Sequence, residues 1–92
     1  MKNIEEAMVV IKILYNTNRF SIVSLLSGTR EDFCVSEIAE EIGISQSLAS
    51  HQLSYLEARG IVSSVRMGQS MCYTLSPLPI TKKVIGVIKL LQ

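Results

Sequence analysis

Residues 36–61, SEIAEEIGISQSLASHQLSYLEARGI, decide the fold. Ser36 and Ser45 each stand before a run of apolar residues at helical spacing, and Gly43 and Gly60 stand where each run ends. A serine oxygen accepts a hydrogen bond from the free N–H groups of a helix start, and glycine is favoured just past a helix end. We therefore predict two helices joined by a turn of about three residues, which is a helix-turn-helix.

The hydrophobic period changes after Gly60. Apolar and polar residues alternate in two runs on either side of Met67-Gly68-Gln69, which is a strand pattern. This pattern predicts a β-hairpin over residues 61–76 with Gly68 at its tip. A helix-turn-helix followed at once by a hairpin is the winged form of the motif, in which the tip reaches an adjacent groove or the backbone of DNA.

Helical spacing also predicts helices at both ends of the chain and before the helix-turn-helix. The predicted segments are a helix over Ile4–Tyr15, a helix over Arg19–Ser27 ending at Gly28, a strand stub at Phe33–Val35, a short helix capped by Ser36, and a last helix over Ile80–Leu91. The fold class is therefore mainly α with a small β-hairpin (α+β), a winged helix-turn-helix.

Composition limits the architecture and the partners. A chain of 92 residues forms one domain. Apolar residues make up 48% of it and charged residues 18%, which is more apolar surface than a small monomer buries. The two terminal helices are apolar over more than one stripe, so we expect a homodimer that joins through them. A net charge of +1 argues against binding polyanions by charge alone.

The sequence lacks the residue patterns that other classes of function require. The chain has one histidine, no glycine-rich phosphate loop and no carboxylates placed to converge, so we expect no enzyme, no catalytic residue and no cofactor. The longest apolar run, Met8–Leu14, is broken by Lys12 and is too short to cross a membrane. Two cysteines do not make a disulfide framework, and no secretory leader opens the chain, so we expect a cytoplasmic protein.

The second helix of the motif presents short hydrogen-bonding side chains. Helical spacing turns Leu48 and Ala49 inward and leaves polar residues outward, with no acidic residue before Glu57. Glutamine pairs bidentately with adenine, and serine bonds to base edges or phosphates. The alternative is an ordinary polar helix face. The predicted DNA contacts are Ser45, Gln46, Ser47, Ser50, His51 and Gln52 on this helix and Arg66 and Gln69 on the hairpin.

Three segments resemble one family of regulators. Residues 16–26 (NTNRFSIVSLL), 33–53 (FCVSEIAEEIGISQSLASHQL) and 56–62 (LEARGIV) look like the ArsR/SmtB winged-helix repressors, and the resemblance continues to Leu75. It implies that the helix starting at Ser45 enters the major groove of double-stranded DNA and that the hairpin is the wing. It also implies that the first and last helices of two subunits form the dimer interface.

The family's metal-binding patterns are incomplete in this chain. Many members carry Cys-Val-Cys at the start of the third helix, where this chain has Cys34-Val35-Ser36. Others bind zinc through Asp, His and Glu on the last helix, and residues 81–92 contain none of these and no Cys. A transition-metal site needs three or four such ligands together. We therefore expect no metal.

Two interpretations of Cys34 and Cys72 remain open. In a winged helix the stub before the third helix pairs with the second hairpin strand, and period-two alternation then puts both cysteines on one face. They are either two inert packed side chains or, if the register brings their Cα atoms within about 7 Å, a disulfide and a candidate redox pair.

These observations predict a sequence-specific transcriptional regulator, a repressor that binds an inverted-repeat operator as a homodimer. The alternative is a winged-helix module that binds a protein through the same helix face. The predicted boundaries are one domain over 1–92, with dimerisation helices at 1–15 and 80–91, the helix-turn-helix at 36–59 and the wing at 61–76.

Overall fold

The computed structural model describes residues 4–29 and 31–92. Within this part the chain forms five helices and three strands in the predicted order. The elements are α1 (Ile4–Leu14), α2 (Thr17–Ser27), β1 (Phe33–Cys34), α3 (Val35–Ile42), α4 (Gln46–Ala58), β2 (Val62–Met67), β3 (Ser70–Leu75) and α5 (Pro79–Leu91). The prediction of a mainly α fold with a small hairpin is confirmed.

The ends of α3 and α4 follow the predicted capping chemistry at the turn between them. Gly43 ends α3 with φ 81°, a left-handed conformation that glycine adopts without steric cost. The side chain of Ser45 caps α4 by accepting a hydrogen bond from the Leu48 N–H at 3.0 Å. The turn between the two helices is therefore built as the sequence predicts.

Three predicted helix starts are wrong. Helix α5 begins at Pro79 rather than Ile80, because proline fits the first turn of a helix, where no backbone N–H partner is needed. Ser36 does not cap α3, because Val35 is already helical and Cys34 is the N-cap residue, its N–H donating to the Glu37 carboxylate at 2.8 Å. The strand stub is thus one residue shorter than predicted. Helix α2 begins at Thr17 rather than Arg19, because Asn16 Oδ1 accepts from the Arg19 N–H at 3.1 Å and caps the helix from outside.

The three strands form one antiparallel sheet with the order β1-β3-β2. Strands β2 and β3 pair from Val62↔Leu75 to Met67↔Ser70, and Gly68, with φ 65°, lies in the turn between them. The predicted hairpin is confirmed, and we call it the wing. Strand β1 adds two pairs on the other edge of β3, Phe33↔Tyr73 and Cys34↔Cys72.

One hydrophobic core joins the helices to the base of the wing. Its largest fully buried apolar side chains are Ile13, Ile22, Ile38, Leu53, Leu56, Ile61 and Ile88. A buried polar contact fixes α5 to this core: the hydroxyls of Ser76 and Thr81 lie 2.6 Å apart, and both bond to the Gly60 carbonyl. The two ends of the wing and the start of α5 are thereby held together.

Helices α1 and α5 pack against each other and leave apolar side chains in solvent. Lys83 and Glu6 form an ion pair between them. The exposed large apolar residues on these helices and just after α1 include Ile4, Met8, Ile11, Tyr15, Leu90 and Leu91. No helix in residues 4–29 and 31–92 has the length and apolar character needed to span a membrane.

Candidate nucleic-acid interface

Helix α4 presents one buried and one exposed face. Ala49, Leu53 and Leu56 are completely buried and fix the direction in which the helix faces the core. The residues exposed at its N-terminal end are the predicted Ser45, Gln46, Ser47, Ser50 and His51. This end carries no acidic side chain before Glu57, so its free N–H groups and partial positive charge face solvent without a competing carboxylate.

Two predicted orientations on α4 are wrong. Leu48 was expected inward but is 37% exposed, because the adjacent Ala49 occupies the inward position. Gln52 was expected on the DNA-contacting surface but is only 6% exposed. It follows Ala49 by three residues and precedes Leu56 by four, so it lies on the buried face. Gln52 therefore does not belong to the exposed set.

Arg19, which is not among the predicted site residues, provides the hydrogen-bond partner of the buried Gln52 side chain. Arg19 Nη1 donates to Gln52 Oε1 at 3.1 Å. The same guanidinium donates to the carbonyl oxygens of Ile13 at 3.0 Å and Lys12 at 2.8 Å. It also lies 4.0 Å from the centroid of the Tyr55 ring, a cation–π distance. Arg19 thus joins the end of α1 to the middle of α4.

The wing is attached to the end of α4 by a carboxylate. Glu57 accepts hydrogen bonds from the N–H and hydroxyl of Ser64 on β2, at 3.2 and 2.6 Å. Ser64 is the cross-strand partner of Tyr73. Burial, and secondarily the Glu57 charge, raises the pKa of Tyr73 above its ordinary value. These contacts set the angle at which the hairpin leaves the helix-turn-helix.

The predicted contact residues fall into two groups in the structure. Gln46 and Ser50 of α4 and Gln69 of the wing line one cavity of about 260 Å³, together with Ser36, Ser70 and other residues of α3 and β3. We call this cavity the α4–wing cleft. Ser45, Ser47, His51 and Arg66 are exposed but do not line it, and Gln52 is buried. The cleft brings helix and wing residues together around a polar opening.

The two cysteines are direct cross-strand partners. Cys34 on β1 faces Cys72 on β3, their Cα atoms are 3.7 Å apart, and a disulfide bond joins them. The predicted pairing of these strands and the shared face of the two cysteines are confirmed, and of the two open interpretations the structure has the disulfide rather than two unlinked side chains. No group of three or more His, Cys, Asp or Glu residues that could hold a metal ion occurs among residues 4–29 and 31–92.

The chain is similar to known transcriptional regulators. Residues 16–64 match the family model described as "Bacterial regulatory protein, arsR family". The transcriptional activator HlyU of Vibrio cholerae is 32% identical over 82% of this chain and 68% of its own length. The transcriptional repressor SmtB homolog of Synechocystis is 32% identical over 68% of this chain. The matched part covers 46% of that relative, so this chain spans about half of its length.

Solved structures show the same fold. The structure of reduced HlyU from Vibrio cholerae superposes with a TM-score of 0.81 at 28% identity, covering 97% of this chain and 92% of that one. The homodimeric winged helix-turn-helix domain Mb0332 from Mycobacterium bovis gives a TM-score of 0.78 at 25% identity, covering 95% and 79%. The family match covers more than half of the chain and coincides with the helix-turn-helix. This chain is a member of the arsR family of bacterial regulatory proteins.

Proposed function

We propose that the chain represses transcription by binding an inverted-repeat operator as a homodimer, with α4 in the major groove and the wing on the adjacent backbone. One observation carries this proposal: side chains that can bond to bases project from the unobstructed start of α4 and meet the wing at the α4–wing cleft. A major groove about 12 Å wide admits one α-helix.

In this proposal Gln46 and Ser50 contact the edges of the bases. Both lie on the exposed side of the first turns of α4, where helix-turn-helix proteins meet the bases. The residues that flank them form hydrogen bonds to phosphates or bases; these are Ser45, Ser47 and His51. Arg66 and Gln69 extend the contact from the wing. Because Lys and Arg are scarce in this region, affinity should depend only weakly on salt concentration.

The apolar surface of α1 and α5 is the proposed dimer interface. A groove of about 530 Å³ between the two helices is lined mainly by apolar residues, among them Ile11, Val87 and Leu90. Ile11 is 56% exposed and Leu90 85% exposed, which is unfavourable in a monomer. The homodimeric Mb0332 domain supports this arrangement by its similarity. Two-fold symmetry then places the two α4 helices on half-sites about 10 base pairs apart.

The proposal includes a cytoplasmic location and activity without a metal or cofactor. Enrichment of a random-sequence DNA library with the purified protein, followed by mobility-shift measurements, tests it. We expect an inverted repeat to be enriched, and the Arg66→Ala variant to enrich the same repeat with lower yield. Failure of the folded wild-type protein to enrich any inverted repeat would contradict the proposal and favour a module that binds a protein through α4.

A further inference from the structure

The disulfide joins the two parts of the molecule that we propose to contact DNA. Cys34 is both the last residue of β1 and the N-cap residue of α3, the first helix of the helix-turn-helix. Cys72 lies in β3, the central strand of the sheet and half of the wing. The bond therefore links positions 38 residues apart and ties the helix-turn-helix covalently to the wing.

The backbone pairing that joins the start of α3 to the wing is short. Strand β1 contains only two residues, so its pairing with β3 consists of Phe33↔Tyr73 and Cys34↔Cys72. A two-residue strand at a sheet edge is weak without further support. Breaking the disulfide would leave this short pairing and the apolar packing of Phe33 and Val35 to set the distance between the start of α3 and β3.

The disulfide also underlies the α4–wing cleft. Val35 and Ser36 directly follow Cys34, and Met71 and Tyr73 flank Cys72, and all four residues line the cleft. The opposite wall contains Gln46 and Ser50 of α4. In the bonded protein, three side chains with proposed DNA contacts, Gln46, Ser50 and Gln69, are thus already assembled around one opening. Fixing a binding surface in its bound arrangement lowers the entropy lost on binding.

We propose that Cys34 and Cys72 form a reversible thiol–disulfide site that controls operator affinity, with the bonded form binding more tightly. This inference rests on the proposed function, because it concerns the regulation of the same DNA-binding surface. The signal it implies is a two-electron oxidant of the hydroperoxide class, opposed by a cellular dithiol.

The chemistry assigns different roles to the two sulfurs. Cys34 is partly exposed and Cys72 is completely buried, so Cys34 is the side chain that a peroxide reaches. The Cys34 thiolate attacks the O–O bond of hydrogen peroxide and becomes a sulfenic acid, and the released hydroxide takes a proton to form water. The Cys72 thiol then attacks the Cys34 sulfur, the S–S bond forms, and the sulfenic hydroxyl leaves with the thiol proton as a second water.

In these two steps together, the two cysteine sulfurs lose two electrons, which the peroxide accepts. Reduction reverses the change: an external dithiol attacks the disulfide, becomes a disulfide itself and returns one proton to each cysteine sulfur. Both steps use only the two cysteines of the chain and the named co-reactants.

The experiment uses the full chain treated either with hydrogen peroxide or with dithiothreitol. Alkylation of free thiols and mass spectrometry count the bonded fraction, and fluorescence anisotropy measures affinity for the enriched operator and for a random duplex of equal length. We expect both thiols to be protected after peroxide and both to be alkylated after reduction. The bonded wild type should bind the operator about tenfold more tightly than the reduced protein, because a surface fixed in its bound arrangement loses less entropy on binding.

Cys34→Ser and Cys72→Ser serve as matched variants. Both should bind as the reduced wild type does, whether or not peroxide is present. Because Cys72 is buried, Cys34→Ser is the decisive variant if Cys72→Ser fails to fold by circular dichroism. Equal operator affinity of bonded and reduced wild type, tighter binding by the reduced form, or thiols that stay free in peroxide would each overturn the inference. Absence of specific binding in both states would instead overturn the proposed function.

Discussion

The contact between Arg19 and Gln52 predicts a measurable coupling between two helices that are distant in sequence. Arg19→Met removes three hydrogen bonds from a guanidinium group and its contact with the Tyr55 ring. A hydrogen bond involving a charged group contributes about 1.5–3 kcal/mol, but the bond to the Lys12 carbonyl is exposed and water replaces it. We therefore expect Arg19→Met to lower the free energy of unfolding by about 3 kcal/mol.

A double-mutant cycle isolates the part that belongs to Gln52. Arg19→Met alone leaves the Gln52 amide buried without its partner, whereas Arg19→Met combined with Gln52→Leu removes both groups. Removing both partners costs less than the sum of the single changes, and we expect a coupling energy of about 1.5 kcal/mol.

Urea unfolding followed by circular dichroism, at one fixed protein concentration and with the disulfide intact, measures the four variants. Arg66→Met, which changes an exposed wing arginine, is the control and should alter stability by less than about 0.5 kcal/mol. Additive effects of the Arg19 and Gln52 substitutions would refute the coupling. If a Gln52→Leu variant kept its stability but lost operator specificity, Gln52 would be a DNA-contacting residue, as the sequence predicted.

Three further predictions concern the interface, the wing and the disulfide. Replacing Ile11 and Val87 by Asp should give monomers in sedimentation at micromolar concentration and abolish operator binding, and a persisting dimer would contradict the proposed interface. In an ultraviolet titration Tyr73 should ionise at a higher pH than an exposed tyrosine does, because burial and, secondarily, the Glu57 charge raise its pKa. The stability that neutral Tyr73 contributes is therefore present below the unfolded-state pKa of about 10 and is lost as pH rises through the higher folded-state pKa. Glu57→Gln should lower the Tyr73 pKa, and an unchanged titration would exclude that influence. Reducing the disulfide, which spans 38 residues, should cost up to about 4 kcal/mol and lower the melting temperature by about 10 °C or more, while Cys34→Ser should not respond to reductant.

Local patterns predicted the elements well because each has a chemical cause within a few residues. The turn from α3 to α4 needs Gly43 at positive φ and Ser45 as a cap, and both requirements are visible in the sequence. The wing shows its alternating pattern and a glycine at its turn. The shared face of the two cysteines also followed from alternation, once the resemblance to winged-helix proteins had indicated which strands pair, whereas their exact register did not.

The errors arose where a residue's role depends on distant parts of the chain. Cys34 occupies the N-cap position of α3 in place of Ser36, and its extended conformation is part of its pairing with Cys72. Gln52 was placed outward because it is polar, although its spacing from Ala49 and Leu56 assigns it to the buried face. Nothing near Gln52 in sequence shows that Arg19, 33 residues away, supplies its hydrogen-bond partner.

The central claim is that side chains at the start of α4 distinguish DNA sequences, and the ratio of affinities for the enriched operator and a random duplex tests it most directly. For Gln46→Ala we predict operator binding weakened by about 1–3 kcal/mol for a lost bidentate contact, and for Ser50→Ala a loss toward the lower end of that range for a single hydroxyl contact, with binding to random DNA nearly unchanged for both. Arg66→Ala should weaken both alike, because a backbone contact carries no sequence information. An equal loss on operator and random DNA for all three variants would contradict the claim that α4 recognises bases.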